Sequence, residues 1–180
     1  MGDGSSSART RSELFTDVYR DNAARVLGYL RARGADDPEA MTQEVFLAFY
    51  ARSERVTGGA AGERALLFSI AHARLVDDYR DRARRPDLRP YDVSVDTRTA
   101  ASAEDHAVAI TGERGALDLV RALPDEYREV IALRVIAGLP IAATAEIMGR
   151  SEGAIKQLQR RALERLRMAL HEKENEDAPA

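Results

Sequence analysis

The segment from Leu139 to Gln157 constrains the fold of this chain most strongly, because two short helical patterns meet there at a glycine. Gly149 follows Ala145 by four positions, and a helix that ends there needs the positive φ that glycine tolerates best. Ser151 suits the N-cap of a second helix, and Glu152 suits the positive end of its dipole. Ala145 is small enough for two helices to cross closely. The spacing therefore predicts a helix-turn-helix.

The second helix of this pair has an apolar face and a polar face. Ile155 and Leu158 are predicted to point inward. A helix of this kind can enter the major groove and contact phosphates and base edges. The candidate DNA-contacting residues are Ser151, Glu152, Ala154, Lys156, Gln157, Arg160 and Arg161, with Gln159 also outside. The alternative is a plain helical hairpin with a solvated charged face.

Apolar residues recur at intervals of three and four along the whole chain, which predicts an all-α protein. A first helix is expected after Ser12, ending at Gly34, and a second is expected to begin with Asp37 as cap and Pro38 in its first turn. The run 57–62 is expected to break the second helix. Further helices are predicted over 63–85, 113–122 and 125–137, and the last helix over 152–170.

The sequence predicts two small helical bundles joined by a flexible acidic linker. The N-terminal bundle takes residues 12–85 and the C-terminal bundle 113–170, with a linker over 86–112 that is rich in aspartate and contains Pro86 and Pro90. Residues 1–11 are expected to be disordered, and 171–180 to form an acidic, frayed tail. Because each bundle can bury only a modest core, both are expected to dock on something larger.

Composition excludes several classes of protein. The chain has 180 residues, no cysteine and a net charge of −3. Disulfides and thiolate metal sites are therefore excluded, which fits a cytoplasmic location. There is no run of about 18 apolar residues that would span a membrane. The Gly/Ser-rich start matches a myristoylation pattern formally, but a disordered end explains it better.

Two further stretches carry candidate binding residues. In the second helix, Glu39, Gln43 and Glu44 lie close together beside Phe46, after the capping Asp37. This combination suits a partner surface that is part hydrophobic and part basic. An ordinary amphipathic core helix is the alternative. The third helix carries a cationic stretch, which suits a phosphate track, with Tyr79 able to stack on an unpaired base. Its candidate residues are His72, Arg74, Tyr79, Arg80 and Arg82. Aspartates within this stretch leave a solvated, salt-bridged helix open, and an aromatic residue at helical spacing, such as Tyr79, is more often a core residue.

These stretches, in this order, resemble an extracytoplasmic-function (ECF) sigma factor, a two-domain bacterial transcription initiation factor. The run from Asp37 to Phe46 resembles the family's core-polymerase-binding helix, and the run from Leu67 to Arg80 its minus-ten promoter segment. Leu123 to Arg134, followed by Gly138-Leu139 and Ser151 to Lys156, is similar to the domain that contacts the minus-thirty-five element. The resemblance implies three partners: core RNA polymerase, promoter DNA and an inhibitory anti-sigma factor.

No enzyme is predicted, and no cofactor or metal site. The histidines, His72, His106 and His171, lack ligand spacing, and no phosphate-binding loop signature is present. Two rivals remain open. One is a stand-alone helix-turn-helix DNA-binding regulator, and the other is a protein-interaction module that titrates polymerase or an inhibitor without contacting DNA.

Overall fold

The computed structural model describes residues 10–53, 56–84 and 115–176, and within these ranges every regular element is helical. The N-terminal bundle consists of α1 (Arg11–Arg33), α2 (Pro38–Arg52) and α3 (Gly59–Arg84). The C-terminal bundle consists of α4 (115–121), α5 (Asp125–Ile131), α6 (Ile141–Met148) and α7 (Glu152–Glu176). The all-α prediction is confirmed.

Local capping chemistry sets where α1 and α2 begin. Thr10 caps α1, accepting from the Glu13 N–H, and the Glu13 carboxylate accepts from the Thr10 N–H in return. This reciprocal pair starts α1 at Arg11. The sequence analysis predicted a later start, after Ser12. Asp37 caps α2 as predicted, accepting from the Ala40 N–H at 2.8 Å.

The other boundaries differ from prediction in two places. The second helix ends at Arg52 and α3 already begins at Gly59, so both helix ends lie four residues earlier than the predicted break at 57–62 implies. The last helix runs to Glu176 instead of ending near Leu170. The predicted linker, 86–112, and the N-terminal end, 1–9, lie outside the described residues.

The helix after Pro124 changes its pitch, which the sequence did not indicate. α5 continues from Ile131 into a π-helical turn, Ala132–Ile136, before Gly138 turns the chain with φ +67°. The wider turn gives this segment two buried faces. Val130 and Ile131 face the core of the C-terminal bundle, whereas Leu133 and Leu139 join the core of the N-terminal bundle.

The two bundles consequently pack against each other. α1 contacts both α5 and the π-helical turn, and α3 contacts α6. One hydrophobic cluster contains residues from both bundles, including Tyr29, Phe68 and Leu133, all fully buried. The modest cores expected from sequence are enlarged by this mutual docking.

A smaller cluster holds the helix-turn-helix together. It contains Ala145 of α6 and Ile155, Leu158 and Ala162 of α7. The predicted inward face of the last helix and the close crossing at Ala145 both match this packing. Among the described helices, none combines the length and apolar character required to cross a membrane.

Candidate nucleic-acid interface

The turn between α6 and α7 has the geometry predicted from its residues. Gly149 adopts φ +61°, and the Arg150 N–H donates to the Ala145 carbonyl at 3.0 Å while the Gly149 N–H donates to Glu146 at 3.3 Å. This is a Schellman ending. Ser151 then accepts a hydrogen bond from the Ala154 N–H at 3.2 Å, which caps α7. The turn is therefore rigid, and it fixes the direction in which α7 leaves α6.

The first three turns of α7 present a polar, cationic face. Ile155, Leu158 and Ala162 are buried, so the residues between them point outward. Of the predicted DNA-contacting residues on this helix, Ala154 is half-buried and the rest are exposed: Ser151, Glu152, Lys156, Gln157, Arg160 and Arg161. We call these seven residues the α7 face. All seven lie on the part of α7 and its cap that the buried residues leave toward solvent.

Neighbouring side chains orient the α7 face. The Arg134 guanidinium donates to Gln159 Oε1 at 3.0 Å and also donates to the Leu139 carbonyl. Gln159 is therefore held by the bundle and does not belong to the exposed set. Arg160 donates to Gln157 Oε1 at 3.0 Å, so these two exposed side chains lie side by side.

Positive charge extends further along α7 than the sequence analysis assigned. Arg165 and Arg167 are exposed beyond the α7 face, and the Arg165 guanidinium lies 5.9 Å from the Tyr127 ring centroid. Both arginines lie within the predicted last helix, 152–170, beyond the residues that the sequence analysis selected.

The predicted cationic stretch of α3 is divided between exposed and occupied side chains. Arg74 and Arg80 are exposed, and each lies near a carboxylate: Arg74 is 3.4 Å from Glu44, and Arg80 is 3.6 Å from Asp77. These pairs are solvated and contribute little to stability. Both guanidinium groups remain accessible to a phosphate.

Tyr79 and Arg82 occupy structural positions in this arrangement, which corrects the expectation of an open stacking ring. The Tyr79 hydroxyl donates to the Arg33 carbonyl, and Arg82 lies 4.8 Å above the Tyr79 ring. Burial raises the pKa of the Tyr79 hydroxyl. Arg82 also pairs with Asp36 at 2.8 Å and with Asp78. Helical spacing is consistent with either an exposed or a core position for the Tyr79 ring. In the tertiary structure the ring packs against the core.

His72 is held in a cluster with Tyr29, Arg33 and Glu129, which we call the Glu129 cluster. Glu129 Oε1 accepts from the Tyr29 hydroxyl at 2.8 Å and lies 3.1 Å from His72 Nδ1. Glu129 Oε2 lies 2.6 Å from Arg33 Nε. The Glu129 and Arg33 side chains are only 6% and 9% exposed, so this is a buried ion pair. His72 is thus oriented toward a protein carboxylate.

Burial acts to raise the pKa of Glu129, but the hydrogen bond from His72, the Arg33 charge and the Tyr29 hydroxyl together outweigh it. The pKa of Glu129 therefore lies below its ordinary value. The same burial and the neighbouring carboxylate raise the pKa of Tyr29 well above its ordinary range. The cluster is thus a carboxylate bound to neutral and cationic donors.

The exposed face of α2 differs from the predicted one at a single position. Glu39, Gln43 and Glu44 are exposed, with Glu39 paired to Arg31 at 2.6 Å, and Asp37 serves as the cap. Phe46 is only 2% exposed and points into the core, 4.7 Å from the Tyr19 ring. This corrects its assignment to a partner surface.

Leu47, the next residue, takes that place on the α2 surface. It is 69% exposed and follows Gln43 by one helical turn. A large apolar side chain among polar ones was the available signal, but the sequence alone did not decide whether Phe46 or Leu47 faced outward. We call Gln43, Glu44 and Leu47 the α2 face.

Comparison with known proteins assigns the family. Residues 114–166 match the model of sigma-70, region 4, which spans the C-terminal bundle. The ECF RNA polymerase sigma factor SigD of Mycobacterium bovis is 32% identical over 155 residues, covering 79% of this chain and 70% of SigD. BldN, an ECF RNA polymerase sigma factor of Streptomyces coelicolor, is 32% identical over 150 residues, covering 83% of this chain. The match spans 56% of the length of BldN.

Solved structures share the fold at lower sequence identity. The sigma factor RpoE from Bartonella quintana, solved with the anti-sigma factor NepR, is similar with a TM-score of 0.67 and 20% identity, over 87% of this chain and 96% of RpoE. CnrH, solved with the cytosolic domain of CnrY, gives 0.60 and 20%, over 91% and 89%. The identity and coverage shared with SigD, together with the region 4 match, confirm the resemblance: this chain belongs to the ECF family of RNA polymerase sigma factors.

Proposed function

We propose that this chain is a sigma subunit that binds core RNA polymerase and directs it to a promoter, where it supports DNA opening and the start of transcription. The observation that carries the proposal is the α7 face, an exposed cationic helix face on a rigidly capped helix-turn-helix, in a chain of the ECF family. Sigma factors are generally initiation factors without enzymatic activity, and we expect the chain to act in the cytoplasm, where bacterial promoters are.

The α7 face would enter the major groove of the minus-thirty-five element. Lys156, Arg160 and Arg161 supply charge for phosphates, and Gln157 and Glu152 supply groups that can pair with base edges. A good bidentate contact to a base is worth about 1–3 kcal/mol of discrimination. Phosphate contacts add affinity that depends on salt, because they release counterions.

The N-terminal bundle would bind the polymerase and the minus-ten element. The α2 face combines an exposed leucine with polar groups, which suits a protein surface of mixed character. Arg74 and Arg80 would contact the backbone of the opened strand. We expect neither contact to be strong alone, and joining them on one chain reinforces both through effective concentration.

We also propose an anti-sigma factor as a regulatory partner. Two solved structures that share this fold, RpoE with NepR and CnrH with the cytosolic domain of CnrY, contain a second protein bound to the similar chain. Their likeness supports the fold only. Binding of an inhibitor to this chain is tested by adding candidate inhibitors to the transcription assay and measuring the loss of transcript.

Run-off transcription with purified core enzyme on a promoter library tests the main proposal. A sigma subunit gives defined transcripts only when both chain and core are present, and it binds duplex DNA weakly alone. A stand-alone regulator would instead bind an operator tightly without core. A module that titrates polymerase or an inhibitor would bind its partner without giving transcripts.

Substitution of the α7 face separates promoter binding from polymerase binding. Lys156→Ala with Arg160→Ala should reduce promoter-directed transcription while leaving the affinity for core unchanged. Arg20→Ala is a control for loss of surface charge, because Arg20 is exposed on α1. Equal transcription from the double variant would contradict the proposed role of this face.

Substitution of the α2 face tests polymerase binding. Gln43→Ala with Leu47→Ala should weaken co-purification with core enzyme, without affecting folding, because both side chains are exposed. Met168→Ala is a matched control: it removes an apolar side chain that is 63% exposed, in the other bundle. Unchanged co-purification of the double variant would show that core binds elsewhere.

A further inference from the structure

Two arginine side chains from different helices converge on the turn that follows the π-helical segment. Arg25 of α1 donates through Nη1 to the Ile136 carbonyl at 3.3 Å. Arg64 of α3 donates through Nε to Asn22 Oδ1 at 3.1 Å. A Cβ added at Gly138 would lie 2.9 Å from Arg25 Nη1 and 4.0 Å from Arg64 Nη1. The two guanidinium groups are therefore neighbours around one point.

Gly138 makes this convergence possible. Its φ is +67°, and it has no side chain at the position that Arg25 Nη1 approaches. Gly138 and Arg25 are exposed, and Arg64 is half-buried. A small solute can therefore reach the point on which the two guanidinium groups converge.

The charges of this arginine pair are not neutralised by neighbouring side chains. In the ranges that the structure describes, no carboxylate forms an ion pair with Arg25 or Arg64. Arg20, on the same helix as Arg25, differs in this respect, because it lies 2.7 Å from Asp17 and 3.5 Å from Asp21. A guanidinium group has five N–H donors, and Arg25 and Arg64 each use one nitrogen toward the protein. Two like charges that keep free donors favour an anion between them.

The first turn of α6 adds to the positive potential near this point. Ala143, in that turn, and Ala65 of α3 border one crevice. Pro140 occupies the cap of α6, and the Thr144 N–H is the first to bond back along the helix, to the Pro140 carbonyl at 3.0 Å. The preceding N–H groups point out of the helix end and favour negative charge there. Glu146, the acid that borders the crevice, lies in the last turn of α6, away from this end.

The charge and the donors of the arginine pair match a phosphate group. Phosphate oxygens accept N–H bonds in the fork geometry of a guanidinium group. A phosphate monoester carries a charge of about −1.5 to −2 at pH 7, which balances two guanidinium groups. A carboxylate or a phosphodiester of DNA carries a single charge and would leave one guanidinium group unbalanced. We propose that Arg25, Arg64 and the turn at Gly138 form a binding site for a small phosphate monoester or diphosphate.

This site is independent of the proposed sigma function, because its ligand is a soluble anion and its test needs neither polymerase nor DNA. A bound anion would connect α1 and α3 to the turn that precedes α6. Since it binds the folded protein, it raises the free energy of unfolding as its concentration increases above Kd.

The experiment titrates the full chain with inorganic pyrophosphate, and separately with inorganic phosphate, without divalent metal and at low constant ionic strength. Calorimetry measures Kd up to about 10 mM ligand, the range of weak but specific affinities. Amide ¹H–¹⁵N spectra locate the ligand. We expect the Gly138 cross-peak to shift with the same Kd, with pyrophosphate the tighter ligand because it carries more charge.

Three variants test the assignment of the residues. Arg25→Gln and Arg64→Gln should each weaken pyrophosphate binding at least about tenfold, because each removes a charge-assisted hydrogen bond. Arg20→Gln is the matched control and should change Kd less than about twofold, because an exposed charge outside the site is screened by salt. Arg64→Gln also removes the bond to the buried Asn22. Circular dichroism therefore checks its fold, and Arg25→Gln, at an exposed position, gives the independent result.

The possible outcomes are distinct. Loss of binding in Arg25→Gln and in folded Arg64→Gln, with Arg20→Gln unaffected, supports the site. Equal Kd values in all three variants would mean adventitious anion binding only, and absence of binding to either probe would also overturn the proposal. A short DNA duplex that displaces pyrophosphate, and that itself binds Arg25→Gln more weakly, would reassign the arginine pair to the DNA backbone and reject the small anion. None of these results changes the outcome expected for run-off transcription.

Discussion

Phe46 and Leu47 are sequence neighbours on α2, one buried and the other exposed, so substituting each by alanine gives a stringent test of the fold. Phe46 is 2% exposed, and its ring lies 4.7 Å from Tyr19 and 6.3 Å from Phe15. Leu47 is 69% exposed. We therefore expect opposite results: Phe46→Ala should destabilise the protein, and Leu47→Ala should leave its stability unchanged.

The magnitudes follow from burial. Removing a buried phenylalanine side chain costs about 3–5 kcal/mol, because the transfer free energy is lost and a cavity remains. Each lost aromatic pair adds about 0.5–1.5 kcal/mol, although relaxation of the half-exposed Tyr19 ring offsets part of this. We expect about 4 kcal/mol for Phe46→Ala, which lowers Tm by roughly 10 °C in a protein of this size. For Leu47→Ala we expect less than about 0.5 kcal/mol.

Urea unfolding followed by circular dichroism at 222 nm measures both free energies of unfolding. Loss of less than about 1 kcal/mol in Phe46→Ala, or a larger loss in Leu47→Ala, would refute the assigned rotation of α2. The same pair then separates folding from function. Only Leu47→Ala should weaken binding to core polymerase at a temperature where both variants are folded.

Three further predictions address other parts of the molecule. The pKa of Glu129 is lowered, so the contribution of this carboxylate to stability is complete above its unfolded-state pKa and is lost as pH falls through its folded-state pKa. The decrease of Tm with falling pH should therefore be smaller in Glu129→Gln than in the unsubstituted protein below about pH 4.5. Identical curves of Tm against pH would contradict this. Gly149→Ala should lower the free energy of unfolding by about 1–2 kcal/mol, from the positive φ of residue 149 alone. Gly62→Ala should lower it more, because the added Cβ would lie 1.9 Å from the Thr57 carbonyl oxygen. Thermal unfolding that ranks the two variants the other way would contradict the geometry. If Lys156 and Arg160 each neutralise one phosphate, their joint replacement by alanine should reduce the slope of log K against log salt by about two, and an unchanged slope on minus-thirty-five duplex would refute that.

Local signals predicted the elements that depend on residues close in sequence. The caps at Asp37 and Ser151 and the glycine endings at Gly34 and Gly149 lie where their chemistry requires. The family was also predictable, because its motifs lie in order along the chain, and the comparisons confirmed it. The individual site residues stay predictions. The structure exposes the α7 face, but the Phe46 side chain points into the core and the Tyr79 hydroxyl donates to the Arg33 carbonyl.

Sequence by itself determined the helical class, the helix-turn-helix and its inward residues, because hydrophobic periodicity and capping act over a few neighbouring positions. Only the tertiary structure decided how the bundles meet. Glu129 follows Tyr29 and Arg33 by about a hundred residues, and the π-helical turn that brings Leu133 into the N-terminal core has no local signature in its residues. Such partners are selected by packing and by the need to neutralise a buried charge, and these act between distant parts of the chain.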